Sequence, residues 1–224
     1  MSMSYLIRVT LPDQPGSLGQ LAEAFGMIDA DIRSVDIVET DASGAVTDDI
    51  VVDLPTGTLV DALITAAASL DDVEVDGIRP FTGRVDRRGQ VEMLARIASR
   101  TNDVTAAMEE LVSVMPQALT SSWAVVLEDT GGGLRRIAAS QAAPSDDGSS
   151  PAAIGVDSAR ILHQESDVWV PEPWWLLETT VAACPLTGTD LLLVIGRVGG
   201  PDFLASEVSQ IGDLGTIIGA LLRC

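Results

Sequence analysis

The stretch "LPDQPGSLGQL", Leu11–Leu21, joins two different hydrophobic periodicities. Before it, apolar residues alternate from Tyr5 to Leu11, which is typical of a β-strand with one buried face. After it, apolar side chains recur at helical spacing. These residues are Leu18, Leu21, Ala22 and Phe25. Pro15 presets the backbone for helix entry and Gly16 leaves it bare, so the stretch predicts a strand-to-helix turn with an exposed first helical turn.

The same alternation of periods continues through the first 84 residues in the order strand, helix, strand, strand, helix, strand. The later strands are "DIRSVDIVE" from Asp31, "VTDDIVVDL" from Val46 and "VEVDGI" from Val73. Asp48 is the polar exception on the apolar side of its strand, and we expect it at the strand's start. This order predicts a ferredoxin-like βαββαβ domain over residues 1–84, with four antiparallel strands and two helices on one face. A sheet with an uncovered face favours pairing, so we expect a homodimer through this sheet.

One motif in this domain carries a family resemblance. Asp13-x-Pro15-Gly16-x-Leu18, followed by "GMIDADIRSVDIVE", resembles the ACT domain, a small-molecule regulatory module, over about residues 4–82. The resemblance implies an amino-acid ligand and brings no catalytic residue. In that family an asparagine–isoleucine pair often precedes the second strand, whereas this chain has Asp31-Ile32.

The first turn of the helix is the expected binding position. Its amides lack partners within the helix and carry positive partial charge, which suits a carboxylate. Asp13 either caps the helix or faces the ligand's ammonium group, with Asp31 as a second acid, and the second strand of this chain or of a partner completes the wall. The candidate ligand-binding residues are Asp13, Gln14, Pro15, Gly16, Ser17, Leu18, Asp31, Val35 and Asp36. The alternative is a capped helix start without a ligand.

The arginine- and glycine-rich stretch Arg79–Gln90 predicts a boundary, with a second domain over residues 85–224. From Val91 the pattern is helical in two pieces, which end near Pro116. Two strands follow around the "TGGG" turn, and the small, acidic run Ala142–Ala153 predicts a mobile loop. A short helix near Ser158–Gln164, a strand hairpin and a last helix of about Leu204–Leu222 complete the domain.

The end of this domain is similar to that of a GAF domain. Ala183-Cys184-Pro185-Leu186 lies on one strand, and Pro201-Asp202-Phe203 opens the last helix. The resemblance implies a six-stranded antiparallel sheet between helices. The whole chain is therefore expected to be α+β, a ferredoxin-like domain followed by a GAF-like antiparallel sheet with flanking helices.

Four other motifs favour structural roles. The "TGGGLRR" glycines fit a hairpin turn better than a phosphate loop. Trp169, Trp174 and Trp175 either line a pocket or fill a core edge, which is the commoner use. Gly215 and Gly219 suggest close helix packing, within the chain or in a dimer. The acidic pairs at 48–49 and 146–147 fit solvated surface better than a cation site.

Composition excludes several kinds of chemistry. The formal charge of −20 disfavours nucleic acid and anionic lipid as partners. All 13 basic residues are arginine, so a Walker lysine and a Schiff-base lysine are excluded. His163 is the single histidine, which excludes multi-histidine metal sites. Cys184 and Cys224 have no metal or disulfide spacing, and no metal or cofactor is expected.

The expected function follows from these exclusions and from the resemblances. The N-terminus has no basic lead or long apolar core, and Leu214–Leu222 is too short to span a bilayer, so we expect a cytoplasmic protein. The sequence predicts a regulatory, amino-acid-binding protein without catalytic activity of its own. A dimerisation adaptor without a ligand and a lysine-free enzyme remain the alternatives.

Overall fold

A computed structural model describes residues 3–42, 44–81, 87–151 and 155–223. The chain divides into two compact units, Met1–Arg84 and Val85–Cys224. Both are α+β, which confirms the expected fold class. In the described residues, no helix is both long and apolar enough to cross a membrane.

The first unit has the order expected from its periodicities. Its elements are β1 (Met3–Pro12), α1 (Ser17–Gly26), β2 (Asp31–Thr40), β3 (Ala45–Leu54), α2 (Asp61–Ala67) and β4 (Glu74–Pro80). The four strands form one antiparallel sheet in the order β2-β3-β1-β4, with Ile7 of β1 facing Ile50 of β3 and Ile78 of β4. These residues share a core with Leu21 and Phe25 of α1. β2 forms one edge of the sheet, a position at which another strand can pair.

One strand differs from its expected form. We expected Asp48 at the start of the third strand, but it is the fourth of ten residues in β3 and is only 3% exposed. β1 pairs with β3 along its whole length, from Pro12 and Ala45 to Met3 and Leu54. Asp48 therefore lies inside the sheet, opposite Val9.

The second unit is a five-stranded antiparallel sheet with helices on one face. Its elements are α3 (Arg87–Ala98), α4 (Val104–Ala118), β5 (Trp123–Asp129), β6 (Leu134–Ala139), β7 (Arg160–Leu162), β8 (Thr180–Pro185), β9 (Leu191–Arg197) and α5 (Ala205–Leu222). The strand order is β6-β5-β9-β8-β7. The three helices pack on one face, around Met108, Leu111 and Ile211, and the opposite face carries Trp123 and Trp174.

Three expectations for this unit are corrected. The segment expected to be a short helix near Ser158–Gln164 contains β7, because Arg160–Leu162 pairs along β8 and buries Leu162. The sheet has five strands in the described residues rather than six. Helix α4 continues past Pro116 to Ala118, because a proline in the last turn removes one donor without stopping the residues after it.

The loop expected to be mobile is hydrogen-bonded to the β5–β6 hairpin in its described part. Arg136 donates to the carbonyl oxygen of Pro144 at 2.7 Å, and Ser150 Oγ donates to that of Leu134 at 2.9 Å. The Leu134 N–H donates in turn to the carbonyl oxygen of Pro151, also at 2.9 Å. Residues 152–154 lie outside the described residues. The described part of the loop thus forms a wall beside the hairpin.

Candidate functional site

The loop that leads into α1 is exposed and anchored at one point. The Asp13 N–H donates to the carbonyl oxygen of Gly44 at 2.8 Å, and the Gln14 N–H donates to that of Pro12. Asp13, Gln14, Pro15 and Gly16 are all exposed. Gly16 has φ +103°, a backbone conformation that favours glycine, and its missing side chain leaves open space above the helix start.

The first turn of α1 has no side-chain cap among the described residues, so Asp13 does not cap it. The Ser17 N–H donates to Gln14 O at 3.2 Å, and the Gln20 N–H begins the helical ladder on Gly16 O. The N–H groups of Leu18 and Gly19 lie between those of Ser17 and Gln20 in the first turn, and both residues are exposed. These two N–H groups are the ones that an anion can meet at this helix start.

The candidate residues of β2 do not gather at this loop within one chain. Asp31 pairs in register with Asp53 and forms an ion pair with Arg33 at 3.2 Å, at the end of the sheet away from the loop. The register from Asp53 to Ala45 spans about 26 Å at the usual rise per residue. Val35 and Asp36 lie at mid-strand, opposite Ile50 and Asp49.

Asp48 is a buried acid, whereas its place in the sequence predicted a position at the start of the strand. It faces Val9 and Ile37 across the sheet, and its Oδ1 atom has no hydrogen-bond partner in the described part of the chain. Burial raises the pKa of Asp48, with a smaller contribution from the neighbouring charge of Asp49. Asp49 points to the other face, where its carboxylate accepts two hydrogen bonds from Arg8 at 2.6 and 2.9 Å. The apolar alternation of β1 from Tyr5 to Leu11 is the sequence signal that could have indicated this burial, because it predicts a long strand that pairs beside Asp48.

Exposed apolar side chains lie on α1 and β2. Ile37 is 62% exposed and Val35 is 37% exposed, although both face the side of the sheet that the helices cover. Leu18 of α1 is 39% exposed. We call Leu18, Val35 and Ile37 the β2 strip. Val35 and Ile37 lie on the edge strand of the sheet, a position that favours contact with another strand.

The second unit contains a cleft beside the β5–β6 hairpin. Its walls include Leu127, Arg136, Asp146, Asp147, Trp169 and Trp174. The space between the walls is about 310 Å³ including the part open to solvent, so the protein encloses only a fraction of it. The cleft therefore admits a small group rather than a whole nucleotide.

The tryptophans divide between the two uses predicted for them. Trp174 is buried and meets Trp123 edge-to-face at 5.3 Å between ring centroids, so it fills the core. Trp169 is half-buried and lines the cleft, and its Nε1–H donates to Asp167 at 3.3 Å. Hydrogen bonds from Arg160 are the main cause that holds the pKa of Asp167 well below its usual range.

Cys184 and His163 carry the reactive side-chain types singled out in the sequence. Burial raises the pKa of the Cys184 thiol to about 11, so it is a neutral thiol near pH 7. His163 is exposed, and its backbone N–H, rather than its ring, contacts Asp167. Within the described residues, no three histidine, cysteine, aspartate or glutamate side chains form a group that could hold a metal ion.

Comparisons with known proteins add structural neighbours. No protein-family model and no curated protein matches the sequence. The GAF domain of an Acinetobacter phosphoenolpyruvate-protein phosphotransferase is 12% identical, with a TM-score of 0.45, over 62% of this chain and 95% of that one. The ACT domain of GTP pyrophosphokinase from Chlorobium tepidum is 17% identical, with a TM-score of 0.27, over 36% of this chain and all of that one. An unknown protein from Galdieria sulphuraria is 11% identical, with a TM-score of 0.34, over 100% of this chain and 93% of that one.

Proposed function

We propose that this chain is a regulatory protein that binds an amino acid at the start of α1 and has no catalytic activity of its own. The observation that carries the proposal is the exposed, uncapped first turn behind Gly16. The ligand's α-carboxylate accepts hydrogen bonds from the N–H groups of Leu18 and Gly19, where the helix dipole favours negative charge. Asp13, exposed and free of a capping role, lies on the same loop and attracts the ammonium group.

The proposed site is completed by a second copy of the chain. Edge strand β2 has ten residues, and antiparallel pairing with a second β2 sets the Asp31 end of one copy beside the Thr40 end of the other. Thr40 pairs with Val46, whose other neighbour is Leu11, directly before the loop. Pairing of this kind brings the Asp31 end of a second copy's β2 toward the first turn of α1, while Val35 of that copy stays at mid-strand. It also covers Ile37, the most exposed residue of the β2 strip.

Residue chemistry supports a role without catalysis. The chain has no lysine, its one histidine is exposed and Cys184 is a buried neutral thiol. These features exclude chemistry on a lysine amine and disfavour a thiolate nucleophile at Cys184. The second candidate function is a dimerisation adaptor without a ligand, and the exposed β2 strip favours it.

A ligand screen with matched variants tests the proposal. We expect one amino acid to raise the melting temperature of the full chain, and its deaminated acid to do so less. A ligand at 100 times its Kd adds about 2.7 kcal/mol to the free energy of unfolding. Gly19→Leu should abolish binding, because a helical side chain leans toward the N-terminus and covers the first turn.

Gly19→Ala is the control for that variant. A Cβ atom at Gly19 meets nothing within 4 Å, so both substitutions fit the fold and both improve helix propensity by up to about 1 kcal/mol. We expect calorimetry to show binding by the alanine variant and none by the leucine variant. Equal binding by both would place the site elsewhere, and silence across the whole panel would favour the adaptor.

A further inference from the structure

The cleft of the second unit has an aromatic wall that is held in place before any ligand arrives. Trp169 is fixed through its Nε1–H bond to Asp167, and Asp167 also accepts two hydrogen bonds from Arg160, at 2.5 and 3.0 Å. Asp167 itself is 4% exposed. A ring face fixed in this way attracts a cation without the cost of ordering the side chain.

The charges around the cleft leave a net negative site. Arg136 is the basic residue among its lining groups, but it is engaged by the carbonyl oxygen of Pro144 at 2.7 Å and by Asp146 at 3.9 Å. Its guanidinium also lies 5.6 Å from the ring centre of Trp174. Asp147 is a second carboxylate on the rim, and its Oδ1 accepts the Ser149 N–H at 2.8 Å. With two carboxylates and one guanidinium, the lining of the cleft carries a net charge of −1.

We propose that this cleft binds the head group of a compact organic cation, such as a methylated ammonium, between Trp169 and Asp147. This site is separate from the amino-acid site and goes beyond the proposed function. The cleft opens to solvent, so a head group can enter it while the rest of the ligand stays outside. An anionic ligand is disfavoured because Arg136 is already engaged and two carboxylates stand on the rim.

Tetramethylammonium and tert-butanol are matched probes, since they are similar in shape and differ in charge. We would titrate each into the full-length protein, with isotope-labelled tryptophan, and follow the four indole N–H signals by NMR. The Trp169 signal is assigned by its loss in Trp169→Phe. We expect tetramethylammonium to move this signal saturably with a millimolar Kd, and tert-butanol to bind at least about fivefold more weakly.

Variants separate a built site from general attraction to an acidic surface. Asp147→Asn keeps the acceptor for the Ser149 N–H and should weaken binding two- to fivefold, the usual range of an exposed ion pair. Asp213→Asn removes the same charge from an exposed position on α5, on the other face of the sheet, and should leave binding unchanged. Equal binding of the neutral probe, equal weakening by both variants, or unsaturable drift of all four signals would each overturn the proposal.

Discussion

Asp48 and Asp49 are neighbours in β3, but their side chains lie in different environments. Asp48 points to the helix-covered face, where its Oδ1 lacks a described partner, and Asp49 points to the other face and binds Arg8. Adjacent residues of a strand face opposite sides, so identical side chains meet opposite environments. The two should therefore respond to substitution in opposite directions.

Replacing Asp48 by valine should stabilise the protein by about 1–3 kcal/mol at pH 7, because it removes a buried acceptor that lacks a described partner. The effect depends on pH. Burial raises the pKa of Asp48 in the folded state above its unfolded value of about 3.9. Between these two pKa values the folded state binds more protons than the unfolded state, so the stability of the wild-type protein falls as the pH rises through this range. The advantage of Asp48→Val should thus shrink toward pH 4. Urea unfolding followed by circular dichroism at both pH values measures it, and a constant advantage would contradict the assignment.

Replacing Asp49 by asparagine should have the reverse effect. Arg8 is 1% exposed, so the substitution weakens a buried, charge-assisted pair of hydrogen bonds, at a cost of about 1.5–3 kcal/mol. The same urea experiment provides the measurement. All four tryptophans lie in the second unit, so tryptophan fluorescence in the same titration reports on that unit while circular dichroism reports on the whole chain.

At the scale of elements, short-range periodicity predicted most of the fold. The helices and long strands are encoded within windows of ten residues, where spacing alone distinguishes them. Strand β7 was missed because three residues are too few for a period, and its pairing with β8 decides its conformation. The separation of Asp31 from the α1 loop and the burial of Asp48 depend on strand register, which no local window contains. Local periodicity could not predict the cleft either, since the cleft is lined both by the 142–151 segment and by Trp169.

The Gly215 and Gly219 pair is explained by packing inside the second unit. A Cβ atom on Gly219 would meet the backbone of Leu186 and Thr187, and one on Gly215 would lie 2.7 Å from the carbonyl oxygen of Pro185. Backbone atoms cannot move aside cheaply, so Gly219→Ala should cost about 1–3 kcal/mol through overpacking. Urea unfolding followed by tryptophan fluorescence tests this. A neutral result would mean that α5 does not approach the β8–β9 turn so closely.

Arg197 joins three elements of the second unit. It is fully buried at the end of β9 and donates to Glu207 of α5 at 2.6 Å and to the carbonyl oxygen of Leu119, after α4, at 3.2 Å. Its guanidinium also stacks 4.1 Å from the ring centre of Phe203. Arg197→Met should cost about 3–5 kcal/mol, because it removes one member of the buried ion pair with Glu207.

The double variant Arg197→Met/Glu207→Gln separates charge from packing. If the broken ion pair accounts for most of the lost stability, the Glu207→Gln substitution should raise the urea midpoint of unfolding part of the way back. Tryptophan fluorescence measures that midpoint. Additive losses would instead mean that the arginine acts through its carbonyl contacts, since independent effects sum and coupled ones do not.

At the scale of the whole molecule, a site shared between two copies would couple ligand binding to assembly. A ligand that contacts both copies binds the dimer better than the monomer, so it stabilises the dimer by mass action. We therefore expect a homodimer in sedimentation at micromolar concentration, and a melting temperature that rises with protein concentration. A monomer of 23.4 kDa that persists with and without the amino acid would contradict the shared site.

Ile37→Lys tests this coupling at the edge of the sheet. Ile37 is 62% exposed in the single chain, so lysine fits there with little loss of fold stability, while a charge on an edge strand opposes strand pairing. The variant should sediment as a monomer and bind the amino acid at least about tenfold more weakly, although every residue of the α1 loop is intact. Thr65→Lys, at an exposed position on α2, is the matched control and should behave as wild type. If the Ile37→Lys monomer binds the amino acid as tightly as the parent protein, then the first turn of α1 suffices alone and β2 of a second copy forms no part of the site.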